Sequence, residues 1–527
     1  MYKANFKEVN MDFKINRETI SASECIYEGV QEQGLELDYI LPDYFPDVFK
    51  LVKCEAVPVV SDYSINGDKL SYELRCDIRI LYCSESGSVL QCVNQKQTFS
   101  KTLDLGKYCE NPVITLQPKT DYVNCRAVNK RRLDLRGAIS IKIKVVGEKK
   151  QEVISDAFGL NVQMRKVPIK YAAKKVSARK LVQLSEDVEL SSTQASVISI
   201  IRCRCMSISC EKKMISGKLL AKGEVSVQVM YSCEKDGSGG LEHMEFAMPY
   251  SQIIDLDGID DTYECDVRAE AMLCDVTPVQ GRDGESRMLK CESEIRLDCN
   301  AVKTAQIELG ADAYSTTYPC STAVSEIKAE QIPVKIIHTI HHSAKLYEGD
   351  DVPSKIYYMW CTPKNVNAVI LSGENKLSLS GMLTYTMAAQ DSTEMIIMPD
   401  KDEAFEEVIE LDSENAGDSA SAEITVSAVS YNISTDNVLT AKAEINAEIS
   451  LFSSSSVKAL SDIAVDGSVK KVRDGDYAIK LYYGTENEDV WEIAKRYSTS
   501  VDAIIEENEL DSDKLSQSGM LIIPIVS

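Results

Sequence analysis

Lys69–Cys83 reads KLSYELRCDIRILYC, Lys218–Ser232 reads KLLAKGEVSVQVMYS and Lys376–Gln390 reads KLSLSGMLTYTMAAQ. Each segment alternates apolar and polar residues, the period of a strand with one buried face. The three are offset by 149 and 158 residues. Fifteen residues before each opening lysine stands a cysteine: Cys54, Cys203 and Cys361. A second marker follows in every copy. RLDLRGAISIKI begins at Arg132, MLKCESEIRLDC at Met288 and VLTAKAEINAEI at Val438, at offsets of 156 and 150. Between the markers lie Leu103-Asp104-Leu105, Ile254-Asp255-Leu256 and Ile409-Glu410-Leu411. Four landmarks recurring in one order at near-constant spacing define a three-fold internal repeat.

The chain has 527 residues, enough for about three to four domains. The repeat divides it into β-rich domains at 1–160, 161–312 and 313–460, each expected to be an antiparallel sandwich or barrel. Turn signals separate the strands at Asn66-Gly67-Asp68, Asp236-Gly237, Asp283-Gly284 and Ser372-Gly373. Short helical pieces are expected near Tyr44–Val52 and at the start of the other copies. The serine run Ser453–Ser456 reads as the start of a linker, set at 461–475.

After about Val457 the pattern changes. A short strand over Tyr477–Lys480 precedes a helix over Asp489–Tyr497, capped by Asp489. A second helix follows over Ser500–Asn508, capped by Ser500, and then a strand over Leu521–Pro524. The fold class is therefore mainly β: three tandem β domains, then a small α+β module of order βααβ at 476–527.

The composition restricts function. The net charge of −24 disfavours phosphate backbones and anionic membranes. No stretch has the length and apolarity of a membrane helix. The N-terminus lacks an apolar signal run, which points to a cytosolic chain with its 17 cysteines reduced. Cys76, Cys203, Cys274 and Cys299 sit inside strand-like runs, and no CxxC spacing occurs. Neither GxxxxGK[ST] nor GxSxG occurs, and there are only four histidines. The chain is read as no enzyme, with no cofactor and no metal site. His338, His341 and His342 are assigned to a strand, and Asp255–Asp261 to a strand end and turn. The basic clusters Lys130-Arg131-Arg132 and Arg165–Lys180 are read as solvated faces or, alternatively, as the site of an acidic protein partner or a charged domain–domain contact.

Tyr477-x-Ile479, Trp491-x-Ile493-Ala494-x-x-Tyr497, Val501-x-x-Ile504, Asn508-x-Leu510 and Gly519-x-Leu521-x-Ile523-Pro524 together resemble a LysM domain. That resemblance implies binding of N-acetylglucosamine polymers through the backbone of two loops beside the helices. Here Asn487-Glu488-Asp489 replaces the usual Gly-Asp-Thr. The module carries 11 acidic and 4 basic residues between Asp476 and Ser527, which favours a protein partner. Leu41-Pro42-Asp43-Tyr44-Phe45-Pro46-Asp47-Val48, KCEAVPVVSDYSINGDKLSYEL and RRLDLRGAISIKIKV resemble the SPOCS domain of endospore formers, the first copy most closely. Tandem SPOCS domains with one LysM resemble the SipL-type spore coat morphogenesis family, with SpoVID a looser relative. The resemblance implies a scaffold in the mother-cell cytosol at the forespore surface. It also implies that the LysM module grips a SpoIVA-type coat ATPase; peptidoglycan binding is the alternative. Ile479, Tyr483, Trp491 and Lys495 are the candidate partner-binding residues, with a core role as the competing assignment for Ile479 and Trp491.

Overall fold

The computed structural model describes residues 13–84, 89–108, 110–215, 217–235, 238–282, 284–330, 332–371, 374–412, 418–452, 454–472 and 479–524. The turn signals Asp236-Gly237 and Ser372-Gly373, together with Asp283, Ser453, Tyr477 and Ala478, lie outside them.

Repeat 1 consists of β1 (Lys14–Ile40), β2 (Lys50–Asn66), β3 (Lys69–Cys83), β4 (Leu90–Asp104), β5 (Glu110–Asn129) and β6 (Arg132–Phe158). They form two antiparallel sheets, β2-β3-β4 and β1-β6-β5. The two marker segments are the two central strands. Leu70, Tyr72, Leu74, Cys76, Ile78 and Ile80 of β3 face Leu133, Leu135, Ile139, Ile141 and Ile143 of β6 in one core. Each fully buried aliphatic side chain contributes about 1.5–3 kcal/mol. The β2–β3 turn uses Gly67 at φ +65, a conformation that favours glycine.

Repeat 2 has β7 (Val162–Glu189), β8 (Ser199–Ile208), β9 (Glu211–Ile215), β10 (Lys218–Lys235), β11 (Ser238–Asp255), β12 (Glu264–Gln280) and β13 (Ser286–Ser315). Its sheets are β8-β10-β11, with β9 also on β10, and β12-β13-β7. Repeat 3 has β14 (Cys320–Glu330), β15 (Val334–Glu348), β16 (Lys355–Leu371), β17 (Lys376–Gln390), β18 (Ile396–Ile397), β19 (Asp400–Glu410), β20 (Ser419–Ile433), β21 (Val438–Phe452) and β22 (Ser454–Val465). Here β17 is flanked by β16, β18 and β19, and β21 by β15 and β20.

The repeats close into a ring. Arg79 Nη2 donates to the Cys203 carbonyl at 2.9 Å, joining repeats 1 and 2. Lys335–Asp266 at 2.9 Å and Arg268–Glu423 at 2.7 Å join 2 and 3. Lys53–Asp400 at 2.5 Å joins 3 and 1. At the centre Leu81, Met230 and Ala388, at equivalent points of β3, β10 and β17, share one core with Ile201 and Trp360.

A second shared core lies where each repeat extends as a two-stranded ribbon: β1 with β6, β7 with β13, and β14 with β22. An isolated ribbon is marginal in water. Three ribbons bundle to bury Ile20, Val153, Ile169, Leu309, Ile327 and Ala459. Ile20, Ile169 and Ile327 keep the 149 and 158 offsets of the first marker, and Val153, Leu309 and Ala459 the 156 and 150 of the second.

Several expectations are corrected. Ser454–Ser456 begin β22, and residues 461–465, assigned to the linker, complete it, because that strand supplies Leu460 and Ile463 to the ribbon core. The boundary set at 312 falls inside β13 for the same reason. Tyr44–Val52 is not helical. It is a turn followed by β2, with the Arg131 guanidinium donating to the Leu41, Pro42 and Phe45 carbonyls and the Asp47 carboxylate. In repeat 3 the equivalent place holds one 3-10 turn, Gly349–Asp351.

Candidate protein-interaction site

The C-terminal module is β23 (Ile479–Gly484), α1 (Val490–Tyr497), α2 (Val501–Glu507) and β24 (Gly519–Pro524), with the two strands antiparallel. Both expected caps are present: Asp489 accepts from Trp491 N, and Ser500 from Ala503 N. Val490, Ile493, Ala494, Ile504, Leu515, Leu521 and Ile523 form the core.

The module is seated on the end of the ribbon bundle. Trp491, 7% exposed, donates from Nε1 to Asp312 at 2.9 Å, and its ring meets Tyr314 edge-on at a 5.0 Å centroid distance. Lys495 Nζ pairs with both Asp312 oxygens at 2.8 and 2.6 Å. Arg165 pairs with Asp489 at 2.7 Å, and Tyr314 Oη donates to the Thr499 carbonyl at 2.7 Å. Lys471 ties the two bodies together, donating to the Ser315 carbonyl and to Ser498 Oγ; burial holds its amine below the ordinary lysine range. Asp466 N and Lys471 N also donate to the Pro319 and Thr317 carbonyls.

Of the four sequence candidates, Trp491 and Lys495 come together, on an acid within the chain. Asp312 accepts the indole N–H and pairs with the amine, so both side chains are engaged within the chain. Tyr483 lies elsewhere and is 62% exposed. Ile479 opens β23 opposite Pro524, and its side chain lies outside the described residues. Tyr483 and Leu481 alternate onto the outer face of the two-stranded sheet, opposite Met520 and Ile522. Leu481 and Met520 are each 64% exposed, which gives the face an unpartnered apolar patch.

The two loops flanking the helices are hydrogen-bonded to each other. Asn487 N donates to the Leu515 carbonyl, Leu515 N to the Glu488 carbonyl and Val490 N to the Asp513 carbonyl. Tyr482 Oη and Thr485 N donate to the Glu488 carboxylate at 2.6 and 3.0 Å, holding it below the ordinary glutamate range. These loop backbone groups are spent internally, and Glu486, Glu488, Glu509, Asp511 and Asp513 make the region acidic.

Sequence reading missed Asp312, Tyr314, Leu481 and Met520. The repeat arithmetic contained a signal for the first. Asp156, Asp312 and Asp462 are equivalent, and each lies at a register shift of its ribbon. Asp156 pairs with Lys166 and Asp462 with Arg17, whereas Asp312 takes the module. Among the described residues no group of three or more metal-ligating side chains converges, and no helix is long and apolar enough to cross a membrane.

Comparison with protein families places a match to the SipL, SPOCS domain at residues 196–277 and to the LysM domain at 485–524. The SPOCS match falls on repeat 2, spanning β8 to most of β12, rather than on repeat 1 with its Leu-Pro-Asp-Tyr segment. Neither the curated proteins nor the solved structures yield a match.

Proposed function

We propose that the chain is a non-enzymatic scaffold of spore coat assembly that binds a SpoIVA-type coat ATPase through its LysM module. In this reading it works in the mother-cell cytosol at the forespore surface. The SPOCS and LysM matches support the sporulation setting. The single observation that carries the protein-binding reading is the outer face of the LysM sheet, where Leu481, Tyr483 and Met520 stand exposed together. An exposed aromatic flanked by aliphatics on a rigid sheet is a low-entropy anchor for a protein groove. The cross-bonded acidic loops offer few free backbone groups to a sugar. Three repeats fused into one ring, with the module seated on it, suit a part that holds a partner at a fixed place.

The test is direct binding of the full chain to a purified SpoIVA-type ATPase and, in parallel, to N-acetylglucosamine and peptidoglycan oligomers. Binding to the ATPase without glycan binding is expected. Glycan binding without ATPase binding would overturn the proposal.

A further inference from the structure

The repeat places two cysteine pairs in matching positions. Cys203 on β8 and Cys274 on β12 have their sulfurs 3.1 Å apart, across the two sheets of repeat 2. Cys54 on β2 and Cys125 on β5 occupy the corresponding positions of repeat 1, each 149 residues earlier. Both pairs are separated by 71 residues. In repeat 3 Cys361 holds the place of Cys54 and Cys203, but the facing strand β20 contains no cysteine.

We propose that repeats 1 and 2 each carry an oxidation site, closing Cys54–Cys125 and Cys203–Cys274 as disulfides that staple the two sheets of each sandwich. Closure at Cys203–Cys274 needs the sulfurs to approach by about 1 Å to reach the ~2.05 Å bond. One thiol of each pair is prepared as the nucleophile. The hydrogen bond with Cys203 holds Cys274 below the ordinary thiol range, aided by the positive charge of Arg79, and neighbouring Cys54 lowers Cys125 likewise. Cys54, Cys125 and Cys274 are partly exposed, and Cys203 is buried.

With hydrogen peroxide as the two-electron oxidant, the Cys274 thiolate attacks one peroxide oxygen and hydroxide leaves, giving a sulfenic acid. The Cys203 sulfur then attacks that sulfur, the S–S bond forms, and the sulfenic oxygen departs as water. Two thiols and one peroxide thus give one disulfide and two waters. The Cys54–Cys125 step is identical.

The experiment uses the full chain. Reduced protein is treated with limited hydrogen peroxide, remaining thiols are blocked with N-ethylmaleimide in denaturant, and peptides are mapped by mass spectrometry. Four of the 17 cysteines are expected to escape blocking, in peptides linking Cys54 to Cys125 and Cys203 to Cys274, and dithiothreitol should free them. Cys361 is expected to stay blockable. Cys125→Ser and Cys274→Ser should each remove one link only, and oxidised wild-type protein should melt at a higher temperature than reduced. Wild-type protein in which all cysteines remain blockable, or in which links scatter among other cysteines or between chains, would overturn the proposal whatever the variants do.

Discussion

Asp312 and Trp491 lie 179 residues apart and are joined by a 2.9 Å hydrogen bond from the indole nitrogen to a carboxylate that also holds Lys495. This relationship fixes where the LysM module stands. A β-bulge aims the carboxylate outward, since the β7–β13 register shifts between Gly310 and Asp312.

Asp312→Ala leaves a buried indole N–H without an acceptor. The seat should weaken by about 1–3 kcal/mol, with the Lys495 pair adding little because it is partly exposed. Limited proteolysis should then release the module faster than from wild type. The equivalent Asp156→Ala, which loses one pair to Lys166, should leave the release rate unchanged.

Leu309 lies at the centre of the ribbon bundle and is fully buried. Leu309→Ala should cost about 2–5 kcal/mol. Because this core joins all three repeats, thermal unfolding should move as a whole rather than split off repeat 2.

Gly223 and Gly34 make a matched pair. A Cβ at Gly223 would stand 2.0 Å from the Ser209 carbonyl oxygen, whereas one at Gly34 meets nothing within 4 Å. Gly223→Ala should lower stability by about 1–3 kcal/mol, and Gly34→Ala should leave it within about 0.5 kcal/mol, as read by denaturant melts.

Glu488 gives the module an acid limb. Its folded pKa is lowered from 4.5, chiefly by the Tyr482 hydroxyl. The stabilisation is therefore fully present above pH 4.5 and is lost as pH falls through the lowered folded value. Wild type should melt above Glu488→Gln at pH 7, and the gap should narrow below pH 4.5.

The sequence made the repeat and the sandwich legible because alternation and spacing are local signals. Lys69, Lys218 and Lys376 open the central strands where expected, and Asp489 and Ser500 cap their helices. The ribbon bundle was hidden for a physical reason: a ribbon half has no core of its own, so Ile20, Ile169 and Ile327 acquire meaning only once three distant segments meet. The serine run misled because a small polar residue such as the exposed Ser456 suits a ribbon strand as well as a linker. Trp491 showed its importance in sequence but not its partner, since Asp312 is one acid among 82 Asp and Glu. Part of the Arg165–Lys180 cluster proved to be a contact between repeat and module, through Arg165 and Asp489.

The central claim is that the outer face of the LysM sheet, and not the Trp491 side, takes the partner. The measurement that tests it most directly is the affinity of the full chain for a SpoIVA-type ATPase in wild type, Tyr483→Glu and Leu481→Glu, with folding checked by thermal melts. Both substituted positions are exposed, so the melts should stay within about 0.5 kcal/mol of wild type, while each variant loses about 2 kcal/mol of binding, roughly 30-fold. Unchanged affinity in the folded variants would contradict the account and move the contact elsewhere on the chain.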